Sequence, residues 1–110
     1  MILVCKHFFR KNYVGLTIWP FIFVKEPVHK EDSILINHEK IHLKQQLELL
    51  VIPFYLWYFL EWIVRSVLYM NTYRAYQNIS FEREAYAHEK DLGYTDRRTP
   101  YRFLHFIFRP

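Results

Sequence analysis

Apolar and polar positions alternate unevenly along the chain, and the first long apolar stretch predicts a β-strand. Most residues between positions 13 and 24 are β-branched or aromatic, which is typical of strands, and Gly15 and Pro20 interrupt them. Pro20 cannot donate to a hydrogen-bond ladder, so it predicts an edge position or a break in the strand. The polar stretch 25–32 contains Pro27 and predicts a loop.

The next segment carries the signals of a helix start and a helix stop. Asp32 or Ser33 can cap a helix whose body runs over residues 34–52, because either side chain can accept a hydrogen bond from a free backbone N–H of the first turn. Pro53 then predicts that this helix ends or kinks at that point, since the residue before a proline disfavours helical geometry.

Residues 49–70 form the most apolar segment, and two structures are open for it. Glu61 and Arg65 interrupt the segment, and the uninterrupted run 49–60 is shorter than the ~20 residues that a helix needs to cross a bilayer. One turn apart on a helix, however, the two charges can neutralise each other. The sequence therefore predicts either a buried core helix or an interfacial or membrane-inserted helix.

The C-terminal half predicts further helices. Residues 71–78 are rich in Tyr and predict a connection, whereas Ser80 opens a third helix that Gly93 ends. A last amphipathic helix is predicted over residues 99–108. The pattern as a whole predicts an α+β fold that is mostly helical, with short N-terminal strands followed by helices.

Length and charge restrict the class of protein. With 110 residues the chain has room for one hydrophobic core, so we expect a single domain over residues 1–110. Its formal net charge of +4 comes from scattered Lys and Arg, which argues against a nucleic-acid partner and suits an anionic membrane surface. One cysteine, Cys5, excludes an intramolecular disulfide and fits a reducing compartment. The apolar stretch 1–5 is too short for the core of a signal peptide, so we expect a cytoplasmic or membrane-associated protein.

Two histidines four residues apart indicate a metal site. On a helix, His38 and His42 project from the same face, at a separation that lets a single Zn²⁺ bind both. Glu39, beside the first histidine, is placed to hold and deprotonate the water of the metal, which is the HExxH arrangement of metalloproteases. The alternative is that both histidines lie on a solvated polar helix face.

A zinc ion held by two histidines needs a further protein ligand, and the predicted third helix offers two carboxylates. Residues 82–86, EREAY, resemble the E-x-x-A-D pattern of the glutamate helix in gluzincins, the zinc peptidases that include thermolysin. The order of elements also resembles the small group called minigluzincins. This resemblance implies a minimal zincin core with His38, His42 and Glu82 as metal ligands. Glu84 is the alternative ligand, because the sequence does not show which face of the helix points to the metal.

The motif departs from the family at Tyr86, where gluzincins carry an aspartate that orients a ligand histidine. Tyr86, His88 or Glu89 can take over that role in this chain. The resemblance implies a zinc-dependent hydrolase that cleaves peptide or protein substrates, with Glu39 as general base and with the strand at residues 19–24 pairing with an extended substrate.

The oxyanion partner and the activity itself each have alternatives. Tyr73, Tyr76, His88 and Arg102 are the candidates for stabilising an oxyanion. Two alternatives to an enzyme are a catalytically silent zinc-binding protein and a protein that binds a membrane surface or a partner through the aromatic helix at residues 54–69. The sequence does not determine the oligomeric state.

Overall fold

The N-terminal part of the chain forms a small mixed sheet. A computed structural model describes residues 2–6 and 13–108. Strands β1 (Ile2–Val4), β2 (Gly15–Ile18) and β3 (Phe21–Val24) form one sheet in the order β1-β3-β2. β1 pairs parallel with β3, and β2 pairs antiparallel with β3. The fold is therefore α+β, and the remainder of the described chain is mostly helical, as predicted.

Five α-helices follow the sheet in the described residues. Short 3₁₀-helices precede α1 and follow α5, at Pro27–Glu31 and Arg102–Phe106. The α-helices are α1 (Ser33–Leu49), α2 (Val51–Tyr69), α3 (Thr72–Gln77), α4 (Ser80–His88) and α5 (Tyr94–Arg97).

The predicted strand at residues 13–24 is a hairpin, and its second half is not at an edge. A turn at Trp19 and Pro20 separates β2 from β3, so the break that Pro20 predicts is confirmed. β3 lies in the middle of the sheet, and β2 forms one of its edges. The prediction that the strand at residues 19–24 pairs with an extended substrate is therefore wrong, because both sides of β3 already carry a neighbouring strand.

The first helix starts where the sequence predicts and ends earlier. Asp32 is the N-cap residue, and its side chain accepts a hydrogen bond from the backbone N–H of Leu35 at 3.1 Å. The break lies at Leu50, whose backbone has a φ of 66°, and not at Pro53. Pro53 instead lies in the first turn of α2, where a missing N–H removes no helical hydrogen bond.

Three further predictions for the C-terminal half are wrong. Residues 71–78 contain α3, because the side chain of Asn71 caps this short helix by accepting from the N–H of Arg74 at 3.0 Å. The third helix ends at His88 and not at Gly93. In place of the last amphipathic helix there is only a 3₁₀-helix, in which Phe103 and Phe106 share a buried face through their spacing of three residues.

Helix α1 lies at the centre of the molecule. On one side Ile36 packs against Ile22 and Val24 of the sheet. On the other side Ile41 packs against Ala85 of α4. A third cluster joins α2 to α4 and the C-terminal segment, and its buried members are Phe54, Ile79, Phe81 and Phe103. The polar face of α1 that carries the HExxH motif is consequently buried against α4 and β2.

Candidate metal centre

The structure brings together two histidines of α1 and one carboxylate of α4. The Nε2 atoms of His38 and His42 each lie 3.0 Å from Oε1 of Glu82. One candidate ligand atom from each residue lies within 4.8 Å of the others. The three residues are only 4–5% exposed. This group can hold a metal ion, and two imidazole nitrogens with one carboxylate oxygen are donors that suit zinc.

The other ring nitrogens of both histidines face hydrogen-bond acceptors. Nδ1 of His38 lies 2.8 Å from Oε1 of Glu89, and Nδ1 of His42 lies 2.7 Å from Oε1 of Gln45. Glu89, one of the candidates for orienting a histidine, therefore contacts His38. Tyr86 contacts the same ring through its edge, with centroids 4.6 Å apart. Each Nδ1 thus carries a hydrogen, which leaves Nε2 as the nitrogen that can bind a metal.

Gln45 fixes the tautomer of His42, a role that the sequence reasoning missed. Its Nε2 atom donates to the backbone carbonyl of Phe81 at 3.1 Å and to Oε1 of Glu84 at 3.0 Å. Both of these groups only accept hydrogen bonds, so the amide cannot be reversed, and its oxygen must face His42. The position three residues after His42 in a helix was the available signal for Gln45, because such residues are neighbours.

Glu84, the alternative ligand, lies in a different environment. It is fully buried, accepts from the hydroxyl of Tyr94 at 2.7 Å and forms an ion pair with Arg98. Arg98 also contacts Glu48 through two hydrogen bonds of 2.7 and 2.9 Å. Of the two carboxylates, Glu82 contacts the histidines, whereas Glu84 reaches His42 only through Gln45.

Glu39, the predicted base, is held between α1 and β2. Thr17 donates a hydrogen bond to Oε1 of Glu39 at 2.7 Å. Oε2 lies beside Gly15, where a Cβ atom would come within 2.7 Å of it. A side chain at position 15 would therefore displace this carboxylate.

Two cavities flank Glu39. A cavity of about 370 Å³ is lined by Glu39, His42 and Glu82 together with aromatic residues of α2. A second cavity of about 230 Å³ is lined by Glu39, His38 and Glu89. Gly15 lines both cavities, so the edge strand β2 runs past the candidate metal centre from one cavity to the other.

Burial and charge shift the pKa values of these groups in the metal-free protein. Burial alone would lower the pKa of His38, but hydrogen bonds to Glu82 and Glu89 outweigh it and raise this pKa to about 10. The pKa of His42 is also raised, because Glu82 outweighs its burial. Burial would raise the pKa of Glu82, but the two histidines hold it well below its usual value. Burial raises the pKa of Glu39, and the histidine charges offset part of the increase.

Tyrosines provide the remaining polar groups at the site. The hydroxyl of Tyr58 donates to Oε2 of Glu82 at 2.6 Å, a contact that the sequence reasoning did not predict. Among the candidates for an oxyanion partner, Tyr76 lines both cavities. In the described part of the chain, Tyr73, His88 and Arg102 line neither of them.

Comparison with known proteins does not identify this arrangement. The chain matches no protein-family model, no curated protein and no solved structure. The resemblance to gluzincins consequently stays a prediction, carried by the residues of the motif and by the site that they form.

Proposed function

We propose that the chain is a zinc-dependent metallopeptidase built on a minimal zincin core, with His38, His42 and Glu82 as metal ligands and Glu39 as general base. One observation carries the proposal: all four ring nitrogens of the two histidines face acceptors. Without a metal, Glu82 raises the pKa of both rings, which favours two cations whose centroids lie 5.0 Å apart in a buried site. A cation that replaces the two Nε2 protons removes this repulsion and leaves two neutral imidazoles.

The residues around the ligands fit hydrolysis of a peptide bond. A bound zinc ion would supply Lewis acidity, which polarises a carbonyl group and makes water a better nucleophile at neutral pH. Glu39 accepts the proton of the attacking water and transfers it to the leaving amine. The hydrogen bond from Thr17 occupies Oε1, so Oε2, on the side of Gly15, is the atom that carries the proton. The raised pKa of Glu39 brings the carboxyl closer to the working range of a general acid.

An extended peptide fits along β2. Gln46 occupies part of the outer edge of this strand, because its side chain accepts from the N–H of Trp19 at 2.7 Å and donates to the carbonyl of Thr17 at 2.8 Å. Gly15 remains next to both cavities, so backbone pairing there would place neighbouring substrate side chains in the two cavities. This location replaces the predicted strand at residues 19–24.

Tyr76 is the residue that we assign to the oxyanion. It lines both cavities, and burial followed by the charge of Glu82 raises its pKa, so its hydroxyl remains a protonated donor. A neutral donor next to the reacting carbonyl stabilises negative charge that develops on the carbonyl oxygen.

The test compares zinc-loaded wild type with Glu39→Gln on a mixture of internally quenched fluorescent peptides. We expect wild type to cleave members of the mixture and Glu39→Gln to keep its zinc but lose at least ~100-fold in rate, because the amide cannot accept the proton. Cleavage that survives in Glu39→Gln would disprove the role of the base. Zinc binding by wild type without any cleavage would instead support the catalytically silent zinc protein.

A further inference from the structure

Helix α2 presents a continuous apolar face to the outside of the molecule. Every exposed position of α2 is apolar, and neither residues 2–6 nor residues 13–108 cover this face. Only 6% of the apolar window of α2 is buried. The exposed members, which together we call the outer face, are Ile52, Pro53, Leu56, Phe59, Leu60, Ile63, Val64, Val67 and Leu68.

The two charged residues of α2 are paired with each other and line the groove beside the outer face. Glu61 and Arg65 form an ion pair at 3.2 Å, with side chains that are 14% and 13% exposed. Glu61 accepts from the backbone N–H of Ser80 at 2.9 Å, and Arg65 donates to the carbonyl of Ile107 at 2.6 Å. Both charges are therefore used inside the protein, and the outer face carries none.

The outer face extends along the whole length of α2. The 19 residues of α2 span about 28 Å at ~1.5 Å per residue. The surface continues into a groove of about 660 Å³, lined by apolar residues of α2, by the paired Glu61 and Arg65, and by Ile107 and Phe108. Phe108 is itself 93% exposed.

We propose that the outer face of α2 docks into the boundary between the headgroups and the acyl chains of an anionic lipid bilayer. A protein interface carries a polar rim and about one hydrogen bond per ~100–200 Å², whereas the outer face offers only apolar side chains along the length of α2. Lipid acyl chains require no polar complement. The net charge of +4, with Arg74 stacked over the ring of Tyr69 at the end of α2, favours anionic headgroups.

The helix lies on the bilayer and does not cross it. The inner side of α2 packs through Tyr55, Trp57 and Tyr58 against the core cluster of Phe81 and Phe103, so the rest of the fold lies along that side of the helix. The inner face of α2 also contributes Tyr55 and Tyr58 to the cavity at the candidate metal centre. The cavity therefore stays on the aqueous side of the helix. The docking is independent of the proposed peptidase activity.

Flotation with lipid vesicles tests this proposal. The purified full chain is mixed with vesicles of phosphatidylcholine, with or without phosphatidylglycerol, and separated on a density gradient. Leu60→Glu is compared with Val28→Glu, because Leu60 and Val28 are similarly exposed, at 63% and 71%, and Val28 lies on the 3₁₀-helix before α1. Circular dichroism is the check that both variants fold.

We expect wild type and Val28→Glu to float with both vesicles, and more completely with the anionic ones. Leu60→Glu should reduce the partition coefficient by at least ~tenfold, because a carboxylate in the apolar face opposes insertion. Recovery of wild type in the soluble fraction would overturn the proposal. Equal flotation of the two variants would overturn it as well. If wild type instead forms a concentration-dependent dimer that does not bind vesicles, a second copy covers the outer face, and the proposal is also overturned.

Discussion

Gln45 and Gln46 are neighbours on α1 and offer a matched pair for separating metal positioning from stability. Both side chains are almost completely buried. Gln45 bonds to His42, Phe81 and Glu84. Gln46 bonds to the backbone of Thr17 in β2 and of Trp19 in the turn that follows, and to the hydroxyl of Tyr55. Because each amide makes three contacts, replacing either one by leucine removes the same number of hydrogen bonds.

The two variants should lose similar stability but differ in zinc affinity. At ~1 kcal/mol for each hydrogen bond, each substitution should lower the free energy of unfolding of the metal-free protein by roughly 3 kcal/mol. Only Gln45→Leu removes the acceptor that holds the hydrogen on Nδ1 of His42. Loss of such a contact typically weakens metal binding ~10–100-fold, which corresponds to about 1.4–2.8 kcal/mol.

The assay is competition for zinc with a chromophoric chelator, together with urea denaturation of the metal-free proteins. We expect the zinc dissociation constant of Gln45→Leu to rise ~10–100-fold, and that of Gln46→Leu to stay within about threefold of wild type. The same increase in both variants would refute the role of Gln45, because it would show that general loosening of α1 weakens the site. An unchanged constant in Gln45→Leu would refute it too.

Three further substitutions probe the neighbouring contacts. Gly15→Ala places a Cβ within 2.7 Å of Oε2 of Glu39, so the turnover number should fall ~100-fold. The zinc content, measured by mass spectrometry, should not change. Normal turnover would contradict the placement of the base. Tyr76→Phe removes the assigned donor and should lower kcat ~100-fold with little change in KM, whereas an unchanged kcat would exclude this residue. Arg98→Leu leaves the buried carboxylate of Glu84 and the partly buried one of Glu48 without their cation, so urea denaturation should show a loss of ~3–5 kcal/mol in the free energy of unfolding. A loss below ~1 kcal/mol would contradict the importance of these ion pairs.

Local signals in the sequence predict the helix that carries the motif. The cap at Asp32 is confirmed, and the spacing of His38 and His42 places both side chains on one face of α1. Such signals act within a few residues, so they are visible without knowledge of the fold. The break at Leu50 was not predictable in the same way, because leucine has no intrinsic preference for a positive φ.

The contacts that complete the site depend on tertiary structure. Thr17 and Glu39 are 22 residues apart, and Gln45 and Glu84 are 39 residues apart. Neither pair has a sequence signature, since each forms only when β2 and α4 pack on opposite sides of α1. The choice between Glu82 and Glu84 came from a resemblance, and the structure places only Glu82 beside the histidines. The face of a helix that meets its neighbour is decided by packing and not by local pattern.

Metal analysis of the purified protein tests the central claim most directly. Wild type, His42→Ala and the control His29→Ala are prepared with zinc, freed of unbound metal and measured by mass spectrometry. His29 serves as the control because it lies in the 3₁₀-helix before α1, where its Nδ1 accepts from the backbone N–H of Glu26 at 3.0 Å. The proposed site predicts about one zinc ion per chain in wild type and His29→Ala and a large loss in His42→Ala. Equal zinc content in wild type and His42→Ala would contradict the site.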